Sequence, residues 1–177
     1  MPSGQTHDAI TFLLAAPAFA AAYAMTRSIP GSAVVAGAFV VGGLMFGPGL
    51  DTVSRKYSRW FMFRFLWFPY QSFFKHRSRF SHGLIFGALI RVIYFLGMLT
   101  IAAFLIAYIF TAYAGGELPG LIEFSRFWQP VGGFIRSTFG PYFLTLVFIG
   151  LWLGAASHTF TDMAGSFIKT GRVVKFL

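Results

Sequence analysis

The chain has 177 residues, about the length of one domain. More than half are hydrophobic, only 11% are charged and 24 are Phe, which excludes a dispersed soluble domain and makes a lipid bilayer the natural solvent. The net charge of +9 does not signal nucleic acid, because the basic residues flank apolar runs, where anionic headgroups are the simpler partner. The absence of Cys removes disulfides, thiolate metal sites and a catalytic thiol.

The first apolar run spans Ile10 to Met25 and closes at Arg27. Its Ala18-Phe19-Ala20 stretch resembles a cleavage site, but no Lys or Arg precedes the run as a signal peptide requires, so we read a retained first helix. The second run, Gly31 to Phe46, is rich in Gly, Ala and Val. Both are near the short end of the ~17–25 residues a spanning helix needs. Tyr57–Phe74 follows, with Trp60, Phe61, Phe63, Phe65, Trp67 and Phe68 among Arg59, Arg64, Pro69 and Gln71. This mixture favours the headgroup layer, with a re-entrant or buried segment as the alternative. The third span, Leu84 to Ala114, carries Arg91 near its start, within snorkelling reach of the interface. Leu118–Phe139, with Glu123, Arg126 and Arg136 among aromatics, is expected to lie on the membrane. The last span begins near Pro141, runs through Ala156 and continues as helix to about Phe167. Gly37, Gly42 and Gly43 in the second span, and Gly150, Gly154 and Ala155 in the fourth, allow close helix approach. The expected fold is therefore all-α: one integral membrane domain over residues 1–177, with about four transmembrane and two interfacial helices.

Four spans fix the sidedness. The side of the N-terminus receives Arg55, Lys56, Arg59, Arg64, Lys75, Arg77, Arg79, Lys169, Arg172 and Lys175; the other receives only Arg27, Arg126 and Arg136. The positive-inside rule then makes the first side cytoplasmic, with both termini on it. All four His (His7, His76, His82, His158) and all three Asp (Asp8, Asp51, Asp162) fall on that side or at helix ends opening toward it, whereas Glu117 and Glu123 fall opposite. Imidazoles with carboxylates are the mixture that binds Zn, Mn or Fe.

Taken singly the signals are weaker. His158 and Asp162, four apart in a helix, project from one face and suit a common metal, a spacing that also arises by chance. Thr6-His7-Asp8 reads equally as a helix N-terminus, and for Asp8 the helix-dipole carboxylate is the preferred reading. Asp51, after Gly47-Pro48-Gly49, is alone more often a turn or cap residue. His76 and His82, six apart, need a bend to meet; Arg77 and Arg79 between them serve either phosphate or the positive-inside bias.

Thr6-His7-Asp8, Gly47-Pro48-Gly49-Leu50-Asp51-Thr52-Val53-Ser54, His76-Arg77-Ser78-Arg79-Phe80-Ser81-His82-Gly83 and Ser157-His158-Thr159-Phe160-Thr161-Asp162 occur in that order. The set resembles a chiefly cyanobacterial family of metal-binding membrane proteins, related to the YdjM-like membrane-bound metal-dependent hydrolases with TH, PDxD, HRGxTHS and SHxxxD motifs. The resemblance covers nearly the whole chain. It implies metal ligation by His7, Asp51, His82, His158 and Asp162, with His76 as a ligand or acid. Two departures stand out: Gly49 replaces the first Asp of PDxD, and His76 and His82 are one residue further apart than in the related motif.

The expected function is a membrane-embedded, metal-dependent hydrolase of phosphoester or lipid-phosphate bonds. It would use a divalent ion, Zn before Mn or Fe, with Arg77 and Arg79 on the phosphate and His76 as catalytic acid or base. The alternative is a non-catalytic metal-binding subunit or assembly factor; a metal transporter is a weaker third, since no Asp, Glu or His lies mid-span. Membrane lipids, and a membrane-protein complex or homo-oligomer, are the expected partners. The expected location is a bacterial plasma or thylakoid membrane, with the metal site cytoplasmic.

Overall fold

A computed structural model describes residues 3–74, 83–118 and 120–171. These form helices α1 (Gly4–Thr26), α2 (Ile29–Met45), α3 (Arg55–Ser58), α4 (Phe68–Phe73), α5 (Phe86–Tyr113), α6 (Leu121–Phe139) and α7 (Phe143–Thr170), with 3-10 turns at Pro48–Asp51 and Phe61–Trp67. No strand occurs among the described residues. Four helices are long and apolar enough to cross a membrane: Gly4–Thr26, Ile29–Asp51 (counting the 3-10 turn that follows α2), Phe86–Tyr113 and Phe143–Thr170.

The first span starts six residues before its apolar run. Ser3 is its N-cap, with Oγ accepting from Thr6 N at 3.2 Å, a bond that satisfies one of the amide donors left free at a helix start. His7 and Asp8 therefore lie inside α1, and the expectation that Asp8 serves the helix terminus is corrected: its carboxylate forms a two-pronged ion pair with Arg59. α1 ends at Arg27, in left-handed conformation at φ 53°, and Ser28 caps α2 through Gly31 N at 3.1 Å with Pro30 in the first turn. The two-residue link makes α1 and α2 a helical hairpin.

α2 packs between α1 and α7, while α5 meets α7. Glycine makes the α2–α7 contact possible. A Cβ at Gly150 would lie 2.6 Å from Val35 O, and one at Gly154 would lie 2.7 Å from Gly43 N. With side chains there, the backbones could not approach this closely. The outer faces of α1 and α5 expose Phe12, Leu13, Ile93, Leu96, Ile106 and Ile109, as lipid-facing helices do.

Tyr57–Phe74 is not one helix lying on a surface. It is broken into short turns because it has two apolar faces, and one of them must enter the bundle. Tyr57, Trp60, Trp67 and Tyr70 are buried with Phe46, Leu50, Ala88, Val92 and Ala155, closing one end of the bundle. Trp67 stacks on Phe95 with 6.1 Å between ring centroids and meets Tyr70 edge-on at 5.6 Å. Gln71 Nε2 donates to Leu50 O at 3.0 Å, fixing the segment to the loop after α2. α6 is continuous and lies apart from this core. Phe124 on it is buried, edge-on to Phe104 of α5 at 5.0 Å.

The end of α2 explains the cations gathered there. Phe46 N makes the last helical bond, to Gly42 O, so the carbonyls of Gly43, Leu44, Met45 and Phe46 have no helical partner. Each is taken by a side chain: Gly43 O by Lys56 Nζ, Leu44 O by Arg59 Nη1 at 3.0 Å, Met45 O by Trp60 Nε1 at 3.3 Å, and Phe46 O by Arg91 Nε at 2.7 Å. Three of these donors belong to basic residues, at the negative end of the helix dipole. Arg91, expected to snorkel to the interface, is fully buried in this cap, with Tyr70 and Asp51 as its electrostatic neighbours.

Candidate metal centre

His7 sits in the first turns of α1, and its carbonyl accepts the Thr11 hydroxyl one turn on, at 2.9 Å. Thr11 in turn lies against Gly43 of α2, where a Cβ would come within 2.7 Å of Thr11 Oγ1. On α7, Gly154 brings the backbone against α2, and His158 and Asp162 follow on the same helix. At a four-residue spacing they share one face. The glycine seam thus sets the depth and rotation of the helices that carry all three side chains.

The three converge. His7 Nε2 lies 3.1 Å from Asp162 Oδ1, His158 Nδ1 lies 3.4 Å from Asp162 Oδ2, and the imidazoles stack with centroids 3.7 Å apart and planes 7° apart. One donor atom from each lies within 4.8 Å of the others. All three are buried, at 5%, 8% and 7% exposure. A tetrahedral ion with bonds of ~2.0–2.2 Å separates its ligand atoms by about 3.3–3.6 Å. The His–Asp separations are already close to that.

The surroundings support the fit. His158 Nδ1, which faces Asp162, is buried with no hydrogen-bond partner: at 3.4 Å its contact with Asp162 Oδ2 is long and poorly aligned. Parallel imidazoles this close also repel each other when both are protonated. A single carboxylate with two neutral imidazoles is a donor set that holds a divalent transition ion. Lys56, buried beyond Gly43, feels Asp8 and Asp162; burial, reinforced by Arg59, lowers its ammonium from 10.5 to about 7.

Of the residues implied by the resemblance, His7, His158 and Asp162 are brought together. Asp51 is buried in the turn after α2, but it is not in the group whose donor atoms converge; its charge acts on Arg91 and Tyr70. His76, Arg77, Arg79 and His82 lie outside the described residues. At Gly49, where the related motif has Asp, a side chain would begin 2.9 Å from Ser54 Oγ, which itself donates to Gly49 O at 2.6 Å. The turn is closed by that serine.

Sequence reasoning missed Lys56, Arg59 and Thr11. The two cations entered it as positive-inside charges, and Arg59 also as part of the aromatic stretch. The available signal was their position just after a helix whose last carbonyls need donors.

A family model described as an uncharacterized metal-binding protein family (DUF2227) matches residues 2–172. The chain belongs to that family. No curated protein and no solved structure matches the chain. Metal binding is thus a property of the family, and the His7, His158 and Asp162 group is where this member of it gathers ligands among the described residues.

Proposed function

We propose that the protein is a membrane-embedded, metal-dependent hydrolase acting on phosphoester bonds at the membrane surface. The observation that carries this reading is the ligand set that converges among the described residues, two imidazoles with one carboxylate. Imidazoles with a carboxylate recur in catalytic zinc sites that keep a position for water or substrate, whereas structural sites are built largely on Cys. His7, His158 and Asp162 supply that set. A divalent ion held there, zinc before manganese or iron, would supply a water of lowered pKa and polarise the phosphoryl oxygen.

The chain's own residues provide the remainder. Arg77 and Arg79 are proposed to hold the phosphate through paired N–H donors, and His76 to carry a proton near neutrality. His82 and Asp51 remain proposed ligands for a widened site, on the strength of the YdjM-like motifs. A lipid-phosphate substrate is geometrically simple, because its headgroup lies beside the helix ends. The basic asymmetry supports a cytoplasmic site with both termini on that side.

A second reading has its own observation. All three ligands are at least nine-tenths buried, and they join the first span to the last. A metal there would clamp α1 to α7 in a non-catalytic subunit. Phosphodiesterase and lipid-phosphatase assays on metal-loaded protein separate the two. Turnover that Asp162→Ala abolishes supports the hydrolase. No turnover, with a melting temperature that rises on metal binding, supports the clamp.

A further inference from the structure

The segment that closes the bundle end has a second face. While Leu66, Trp67 and Tyr70 point inward, Phe61, Met62, Phe63, Phe65, Phe68 and Phe73 are each more than half exposed. The chain takes φ 45° at Phe61, a left-handed value uncommon for a bulky residue, between buried Trp60 and exposed Phe61. On this outer face is a cavity of about 450 Å³ lined by Ser58, Phe61, Met62, Arg64, Phe65 and Phe68.

Arg64 is the one charged residue in that lining. Among the described residues its guanidinium has no hydrogen bond or ion pair. The acids that would compete for it are engaged or distant. Asp8 is held by Arg59, Asp162 faces His7 and His158, Asp51 acts on Arg91, and Glu117 and Glu123 follow the far end of α5. An exposed guanidinium beside apolar side chains, on a segment lying across the ends of spanning helices, complements one kind of molecule. That molecule has an anionic phosphate joined to hydrocarbon. Arg binds phosphate through two parallel N–H donors, and aromatic rings at headgroup depth cover the first acyl carbons.

We propose that this cavity is a binding site for an anionic phospholipid, with Arg64 on the phosphate and Phe61, Met62, Phe65 and Phe68 packed on the glycerol and upper acyl chain. The site shares no residue with the His/Asp centre and does not depend on the hydrolase reading. It ties the segment that roofs the bundle to the charged leaflet.

Native mass spectrometry of the detergent-solubilised protein tests this, after exchange with phosphatidylglycerol or phosphatidylcholine in separate samples. The wild type retains phosphatidylglycerol preferentially. Arg64→Gln lowers its retained fraction about tenfold, the scale of one charged hydrogen-bond pair, and Arg136→Gln leaves it unchanged. Met62→Asp, which adds a carboxylate to the cavity, also lowers retention. Unchanged thermal melting of both cavity variants shows that the fold is kept. The proposal is overturned if phosphatidylcholine is retained equally, or if Arg64→Gln retains as much phosphatidylglycerol as the wild type. It is also overturned if inorganic phosphate at equal concentration displaces the lipid, or if a co-purifying protein occupies the face instead.

Discussion

Replacing Gly154 by Ala adds one methyl group at the tightest point of the α2–α7 seam. The new Cβ would overlap Phe39 O, its nearest neighbour, and begin 2.7 Å from Gly43 N, against the 3.4 Å or more of an ordinary contact. The obstacle is backbone, so no rotamer relieves it, and the helices must separate locally by more than the ~0.7 Å that the Gly43 contact alone would require, or rotate. Overpacking of this kind costs about 1–3 kcal/mol. The higher helix propensity of Ala returns about 1 kcal/mol at most. The displacement reaches the candidate centre, because α1 rests on α2 through Thr11 and Gly43, so His7 moves with α2 while Asp162 moves with α7. A coordination sphere tolerates only ~0.2 Å in bond length. Gly154→Ala is therefore expected to lower both the melting temperature and the bound metal. Gly37→Ala is the control: nothing lies within 4 Å of its added Cβ, so it should keep the metal and melt no lower than wild type. Thermal melting in detergent, paired with metal content, reads both effects. A Gly154→Ala protein that melts like wild type and keeps its metal would refute the seam as the element that positions the ligands.

Arg59→Met removes the partner of Asp8 and uncovers Leu44 O. Since the Arg59–Asp8 pair is partly exposed, we expect a loss of about 1–3 kcal/mol, measured by denaturant titration. Asp51→Asn is expected to lower the melting temperature through its neighbours Arg91 and Tyr70. For pH, the sign follows from proton counts. Lys56 titrates at about 7 in the fold and 10.5 unfolded, so the unfolded chain binds more protons between those values and stability rises with pH across them. Burial raises the Tyr70 hydroxyl above 10.0, which reverses the slope above that pH. Melting of metal-free protein should therefore climb from pH 7 to 9.5, and Lys56→Met should flatten the climb. Reporter fusions should place both termini on one side of the membrane, as four spans require.

The spans were legible because burial in lipid imposes one pattern, an uninterrupted apolar run, on every helix. Their ends were less so. α1 extends back past its apolar stretch because Ser3 supplies a cap, and that extension carries His7 into the helix. The pairing of His158 with Asp162 was readable from helical spacing. That His7 would join them followed from counting sides, since the first and last spans end together. The Arg59–Asp8 pair and the capping of α2 were not readable. They depend on how the residues after Asp51 fold back over a helix end, which no local periodicity records. Tyr57–Phe74 was recognisable as aromatic and basic, but its apolar residues follow no single helical face, so its division into an inner and an outer surface needed the tertiary contacts.

Elemental analysis with X-ray absorption on the purified protein reads whether His7, His158 and Asp162 hold one divalent ion. The wild type, supplied with Zn, Mn and Fe in turn, should carry about one ion per chain with nitrogen and oxygen ligands at ~2.0–2.2 Å. His7→Ala and Asp162→Ala should lose it, and Asp8→Asn should keep it. A wild type that binds none of the three metals, or a folded His7→Ala protein that retains its ion with the same coordination, would contradict the account.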